Sequence, residues 1–466
     1  MMQMKRILLC FALAFACVLP VSHAIDFADM LMSGKLWEIN RYLPTDETDF
    51  LFVDTDENSS VARDRRRLMF GTIQLGEVVF DWKKDENAEA SDTDEAATPT
   101  AAEDTPDAEK TPPKRRRLIT PEQAERPNML ARITCMVYNK GDDDELSVKD
   151  HQTKQKELVS AMNSLLGQKA RKSNLPGTKT GLKVQAWVWS VPHGIVRLES
   201  AISSSKTAGK QSEFIRIVCA PDKDSLNRGG AHDKVGRRDL KSCVVEDADG
   251  TVWIKGIPMI DQGGKGYCVP ATVARVFAYY GMDGVDMHAM AAICDSSADG
   301  GTSVSTMKSA LKEIGGRFRV RIKDLPDPAT DISTGISNYN REAEKCNKPL
   351  LNLSANSNSS WRKNLDPELW LKARVKNAGD VKKWMAPIRK SIMSGVPVLW
   401  SVFASDLYTG SKTSSVGGAH MRLIIGFNPK SNTIVYSDSW GQSTTKRVMS
   451  MEEAYAASFG ASVLQP

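Results

Sequence analysis

Much that would assign this chain to a familiar class is missing from it. Charge of one sign is missing: 62 Lys and Arg stand against 57 Asp and Glu, and a formal net charge of +5 is small for 466 residues. Positive and negative side chains so nearly balanced exclude a nucleic-acid partner. Paired cysteines are missing too. The eight cysteines, at positions 10, 17, 135, 219, 243, 268, 294 and 346, form no Cys-x-x-Cys pair, which excludes zinc-ribbon and thioredoxin-like readings. Histidine is scarce, with six in the chain, and no His, Cys or carboxylate spacing suits a metal ion, so neither metal nor cofactor is expected. Past the N-terminal segment there is no apolar run of roughly 18 residues, so no membrane span is expected there. No internal repeat is visible.

What is present begins with an address label. Met4-Lys5-Arg6 is basic, Ile7 to Leu19 is almost wholly apolar, Pro20 breaks the run, and Ser22-His23-Ala24 sets small residues at −3 and −1. This is the layout of a cleavable signal peptide over residues 1–24, and it predicts a secreted or periplasmic protein. Export permits disulfides. Two of the eight cysteines fall in the signal, and a free nucleophile would leave five, which cannot all pair. The chain is therefore not a disulfide scaffold, and some of its cysteines are expected to be small buried hydrophobes.

A chain of 466 residues has room for two or three domains, at roughly 100–200 residues each. Residues 25–220 read as an α+β module. Strand-like runs are Arg67 to Ile73, Glu77 to Trp82, Ala131 to Tyr138, Lys183 to Trp189, Ile195 to Leu198 and Glu213 to Val218. Asp150 to Leu166 has helical spacing, with Leu158, Met162, Leu165 and Leu166 on one face. Between these runs, Asp85 to Glu109 holds ten acidic residues and almost no large apolar ones. Such a stretch cannot bury enough surface to offset its ordering entropy, so about residues 85–126 are expected to be disordered, an insertion within one domain. The basic run Lys114 to Arg117 closes it. His151, His193 and His232 are scattered, and no nucleophile–base set occurs in this half. Residues 221–250 are polar and read as a linker. Residues 251–466 then suffice for one sizeable domain.

The chemistry gathers in that last domain. Asp261-Gln262-Gly263-Gly264-Lys265-Gly266-Tyr267-Cys268-Val269-Pro270-Ala271-Thr272 is a glycine loop running into a helix, which Gly281 ends. Pro270 is tolerated only near a helix start. Cys268 therefore stands at a helix N-terminus, where unpaired N–H groups and the macrodipole favour the reactive thiolate. Gln262, across the glycine loop, is placed to donate to an oxyanion together with the Cys268 N–H. The base must be one of two histidines. His288 lies in an apolar helical stretch. His420 lies where a small-residue loop enters the strand Met421 to Phe427, followed by a turn at Asn428 to Asn432 and a second strand, Thr433 to Asp438. If Asn428 faces Asn432, Asp438 faces Arg422 and lies diagonally within reach of His420. Asp438 then orients the imidazole.

Gln262 six residues before Cys268, together with Asp438-Ser439-Trp440-Gly441, resembles the papain-like cysteine peptidases, with Asp where an Asn is usual. Val269 departs from the usual Trp, and Cys268-Val269-Pro270-Ala271 instead resembles the bacteriocin-processing, double-glycine-leader peptidase group and its secreted bacterial relatives. The likeness covers about residues 253–445. It implies a papain-like fold after the α+β module, with a helical part carrying the nucleophile and an antiparallel sheet. It also implies hydrolysis of a peptide or protein substrate, with Cys268 as nucleophile, His420 as general acid and base, Asp438 as orienting acid and Gln262 as oxyanion donor. Trp440 would shield the His–Asp bond. No ATP-binding transporter module accompanies these motifs, so leader processing coupled to export is not implied. A transglutaminase-like or amidase enzyme has the same Cys–His–Asp order, and a silent peptide-binding module on the same fold is a further alternative.

Overall fold

The computed structural model describes residues 25–39, 52–55, 59–62, 68–83, 129–140, 143–173, 182–205, 209–228, 238–263, 266–282, 286–296, 301–326, 332–352, 365–403, 419–441 and 444–466. The signal sequence, the acidic stretch and the basic run Lys114 to Arg117 lie outside the described residues.

The first half carries β1 (Ile25–Asp26), α1 (Phe27–Met32), β2 (Phe52–Thr55), β3 (Ser59–Ala62), β4 (Leu68–Phe70), β5 (Ile73–Gln74), β6 (Glu77–Lys83) and β7 (Met129–Asn139). It continues with α2 (Val148–Leu165), β8 (Arg171–Ser173), β9 (Lys183–Val191), β10 (Gly194–Ser205), β11 (Gly209–Ala220) and α3 (Lys223–Arg228). An eight-stranded sheet runs β2-β3-β6-β7-β11-β10-β9-β8, and a small sheet runs β1-β4-β5. The two strand-like runs read at Arg67 to Ile73 and Glu77 to Trp82 thus fall in different sheets, β4 and β5 in one and β6 in the other. β6 and β7 are hydrogen-bonded neighbours, so the chain leaves one sheet and returns to it across the acidic stretch. Helix α2 starts where Ser147 accepts the Asp150 N–H, and it buries Leu158 and Met162. Leu165, expected on the same face, is 40% exposed.

The second half carries β12 (Val244–Glu246), β13 (Val252–Ile254), α4 (Cys268–Tyr279), α5 (Met287–Ile293), α6 (Val304–Phe318), β14 (Arg321–Asp324), α7 (Ile332–Lys345), α8 (Pro367–Arg374) and α9 (Ala378–Ile392). β15 (Val398–Phe403), β16 (Ala419–Asn428), β17 (Thr433–Ser437), β18 (Arg447–Ser450), α10 (Met451–Ala457) and β19 (Ser458–Gln465) complete it. The sheet order is β12-β13-β16-β15-β19-β14, with β17 and β18 added beside β16. Its pairings are antiparallel. All of β15 and all but the first residue of β16 are buried, which is why both read as continuous apolar runs rather than alternating ones. Helix α4 is buried along nearly its whole length and packs its valines and Phe277 into this core. Within the stretch read as a linker, α3 is helical, Leu240 and Cys243 enter the core, and β12 pairs with β13.

The two halves touch. Arg216 on β11 pairs with Asp286, the N-cap of α5, at 2.6 Å. The Tyr267 hydroxyl donates to the Lys140 carbonyl at 2.8 Å. Met136, Ala201 and Phe214 of the first sheet share a buried cluster with Ala289 of α5. The first half therefore packs beside the loop that precedes Cys268.

Candidate active site

Helix α4 begins at Cys268, and no side chain hydrogen-bonds its first amides from the cap position at Tyr267. Its positive end is left for an anion. Pro270 occupies the first turn, where a missing N–H costs little, and Gly281 takes φ +65° just past the end. β16 delivers His420 from the facing side. It is the second residue of that strand, paired with Val402 of β15, and it is 8% exposed.

The β16–β17 register decides whether Asp438 reaches it. The turn does not pair as expected: Asn428 stands opposite Thr433 rather than Asn432. A bulge between Ile424 and Gly426 then takes up one residue, and Leu423 stands opposite Ser437. The two displacements cancel, so Asp438 arrives beside Arg422, as the simple count required. Asp438 Oδ1 lies 2.5 Å from His420 Nε2 and accepts the Ser439 N–H at 2.8 Å. Asp438 Oδ2 accepts from Arg422 Nε at 2.7 Å. With Nε2 committed to Asp438, Nδ1 is the ring nitrogen left for the hydrogen bond with Cys268.

Electrostatics follow from this arrangement. Burial pushes the Cys268 thiol up, but the His420 hydrogen bond and charge and a backbone hydrogen bond from Met421 outweigh it, and the thiol lies below its ordinary value. Burial opposes charge on His420 as well; Asp438 and then Cys268 overcome it and raise the imidazole to about 9. Burial also works against the Asp438 carboxylate, yet His420 and Arg422 hold it well below the usual range. Both shifts act in favour of a thiolate–imidazolium pair. Other buried thiols behave oppositely: burial pushes Cys135 and Cys219 well up and Cys294 to about 12. No disulfide joins the described cysteines.

Gln262 is 2% exposed and tied twice to the residue after Asp438. Its N–H donates to the Ser439 carbonyl at 2.9 Å, and its Oε1 accepts the Ser439 hydroxyl at 2.6 Å. With Oε1 used in this way, the side-chain NH2 is the end that can serve as a donor. Trp440, 40% exposed, stacks on the His420 ring at 5.9 Å and 26°. The four expected residues thus come together. His288 does not join them. It lies at the contact between the halves, against Phe214 and Tyr267. Among the described residues no group of His, Cys, Asp and Glu is arranged to hold a metal ion, and no helix is long and apolar enough to cross a membrane.

Residues 254–463 match the Peptidase_C39 like family. The match implies a cysteine peptidase, with protein or peptide substrates, for this peptidase-like part of the chain, and its span contains Gln262, Cys268, His420 and Asp438. The mixed fold of helices and antiparallel strands is compatible with a papain-like peptidase. No curated protein matches the chain significantly.

Three contributors were missed from sequence. Ser439 orients Gln262. Arg422 holds the far oxygen of Asp438; its place opposite Asp438 was legible, but only the reach to His420 was drawn from it. Arg275, 1% exposed on α4, donates to the carbonyls of Pro258 and Asp438, each at 2.8 Å, and to the Ser437 hydroxyl at 2.5 Å. It ties the nucleophile helix to the Asp438 segment. A buried arginine in an apolar helix is the signal that would have pointed to it, because such a cation must find partners.

Proposed function

We propose that the protein is an exported cysteine peptidase that hydrolyses peptide bonds with Cys268, His420, Asp438 and Gln262. The observation that carries this reading is the Cys268–His420–Asp438 relay, with the thiol below and the imidazole above its ordinary value. The thiolate attacks the scissile carbonyl. Gln262 and the Cys268 N–H receive the developing oxyanion. His420, already protonated, gives its proton to the leaving amine through Nδ1, forming a thioester and neutral imidazole. It then takes a proton from water, which attacks the thioester; the acid product leaves and the Cys268 thiolate is restored beside the protonated imidazole. Asp438 remains ionised throughout and holds the ring in one orientation. Trp440 covers the outer face of the imidazole.

Export is supported by the signal-like start, and the chain just beyond it is built into the fold: Ile25 is buried and pairs with Leu68. The mature protein is expected to begin near Ile25. N-terminal sequencing of native material that still starts at Met1 would contradict this.

The catalytic assignment is tested with a panel of fluorogenic peptides or a casein digest. Cys268→Ala and His420→Ala should each remove nearly all hydrolysis, because nucleophile and base act as one unit. Asp438→Ala should cost less. Loss of hydrolysis in His288→Ala with retention in His420→Ala would overturn the assignment. A wild-type acyl-enzyme that prefers amines to water would point to a transferase instead.

A further inference from the structure

The charge on Asp438 raises a problem that Arg422 answers. A carboxylate alone against a buried imidazolium would stabilise the positive ring strongly and hold its proton back from the leaving amine. Here that carboxylate is shared. Arg422 is 6% exposed, approaches Oδ2 at 2.7 Å, and lays its guanidinium over the Tyr436 ring at 5.0 Å, which fixes its plane. Oδ1 is left for His420 and the Ser439 N–H. Arg275, the other cation nearby, addresses carbonyls and a hydroxyl rather than the carboxylate.

On the reading of the site as a cysteine peptidase, we propose that Arg422 is a positioning residue that neutralises Asp438, so that His420 meets a balanced ion pair rather than a bare carboxylate. Arg422 acts through Asp438 and touches no reacting atom. The charged groups that act most on His420 are Asp438, from the segment after β17, and Cys268 from α4, with Arg422 from β16 acting through Asp438. Removing Arg422 strengthens the pull of Asp438 on the ring. Replacing Asp438 with a neutral amide does the reverse, because it leaves the arginine cation buried beside the site without its counter-charge. Removing both charges restores balance.

The test is the pH dependence of Cys268 alkylation by iodoacetamide in the full chain, with Cys268→Ala as blank, and hydrolysis in parallel. Arg422→Gln should move the alkaline limb of kcat/KM for hydrolysis up by about one pH unit and lower kcat with little change in KM. Arg422→Lys keeps a cation and should leave the limb in place. Asp438→Asn should slow alkylation at pH 6.5 roughly tenfold, and the double variant Asp438→Asn, Arg422→Gln should react several-fold faster than Asp438→Asn alone, a reversal that simple loss of packing cannot produce. A wild-type thiol no more reactive than free cysteine at pH 6.5 overturns both the peptidase reading and this one. A reactive wild-type thiol with an unchanged limb in Arg422→Gln, or a double variant no faster than Asp438→Asn, overturns the charge balance alone.

Discussion

On the proposed reading, Gln262 has a narrow task, to present one amide end to an oxygen that becomes charged only during reaction. Its other end is held by the Ser439 hydroxyl at 2.6 Å. Gln262→Ala should lower kcat by about 10²–10³, the usual loss for one principal oxyanion donor, with KM little changed. Ser439→Ala keeps the amide but frees its orientation, so its loss should be smaller and should again fall on kcat. Steady-state kinetics on the two variants check this, and an unchanged kcat in Gln262→Ala would remove it from the oxyanion site. The pH profile belongs to the same scale. The productive pair exists above the lowered pKa of Cys268 and is lost when His420 gives up its proton near 9. Wild-type kcat/KM should therefore fall on the alkaline side around that pH.

Elements meet at positions where a side chain has no room. Gly395 turns the chain from α9 toward β15 with φ +73°, and a Cβ there would lie 2.0 Å from the Leu240 carbonyl oxygen. Its own carbonyl accepts the Tyr279 hydroxyl at the far end of the nucleophile helix. Gly395→Ala meets a strained φ and a backbone clash together. We expect at least about 2 kcal/mol of destabilisation, a fall in Tm of several degrees by calorimetry. In the first half, α2 buries His151 completely, with its Nε2 2.8 Å from the Ser200 hydroxyl, and burial lowers the ring to about 4. The unfolded chain takes a proton below about 6.5. The folded one refuses it until about 4. Stability is therefore lost as pH falls across that window, by on the order of 3 kcal/mol. His151→Gln, which does not titrate, should flatten this part of a Tm-against-pH curve.

The two halves are joined by charge as well as by packing. Glu199 lies between Arg197 and Arg216, and Arg216 continues to Asp286. These arginines hold Glu199 and Asp286 below the usual carboxylate range in spite of burial. The stabilisation is present above the unfolded carboxylate pKa, about 4, and is lost as pH falls below it. Arg216→Met should cost about 2 kcal/mol at neutral pH, less than a fully buried pair, because the Asp286 side chain is 39% exposed. Since Asp286 caps α5 beside α4, the same variant should also separate the unfolding of the two halves. Urea titration followed by fluorescence and by Cys268 alkylation checks this, and coincident transitions in the variant would show that packing alone couples them.

Local chemistry made much of this legible in advance. A proline at the third residue of a helix, glycines before it and Gly281 after it place Cys268 at a helix start, because backbone sterics act over a few residues. A continuous apolar run marks β16 as buried, and His420 with Asp438 follows from a hairpin whose strands are consecutive. What the chain order could not supply are the contacts between distant segments. Arg275 bridging α4 to Ser437 and Arg216 reaching Asp286 depend on how finished elements pack. Their energies come from excluding water around charges that lie far apart in sequence, and that exclusion exists only once the tertiary structure has closed.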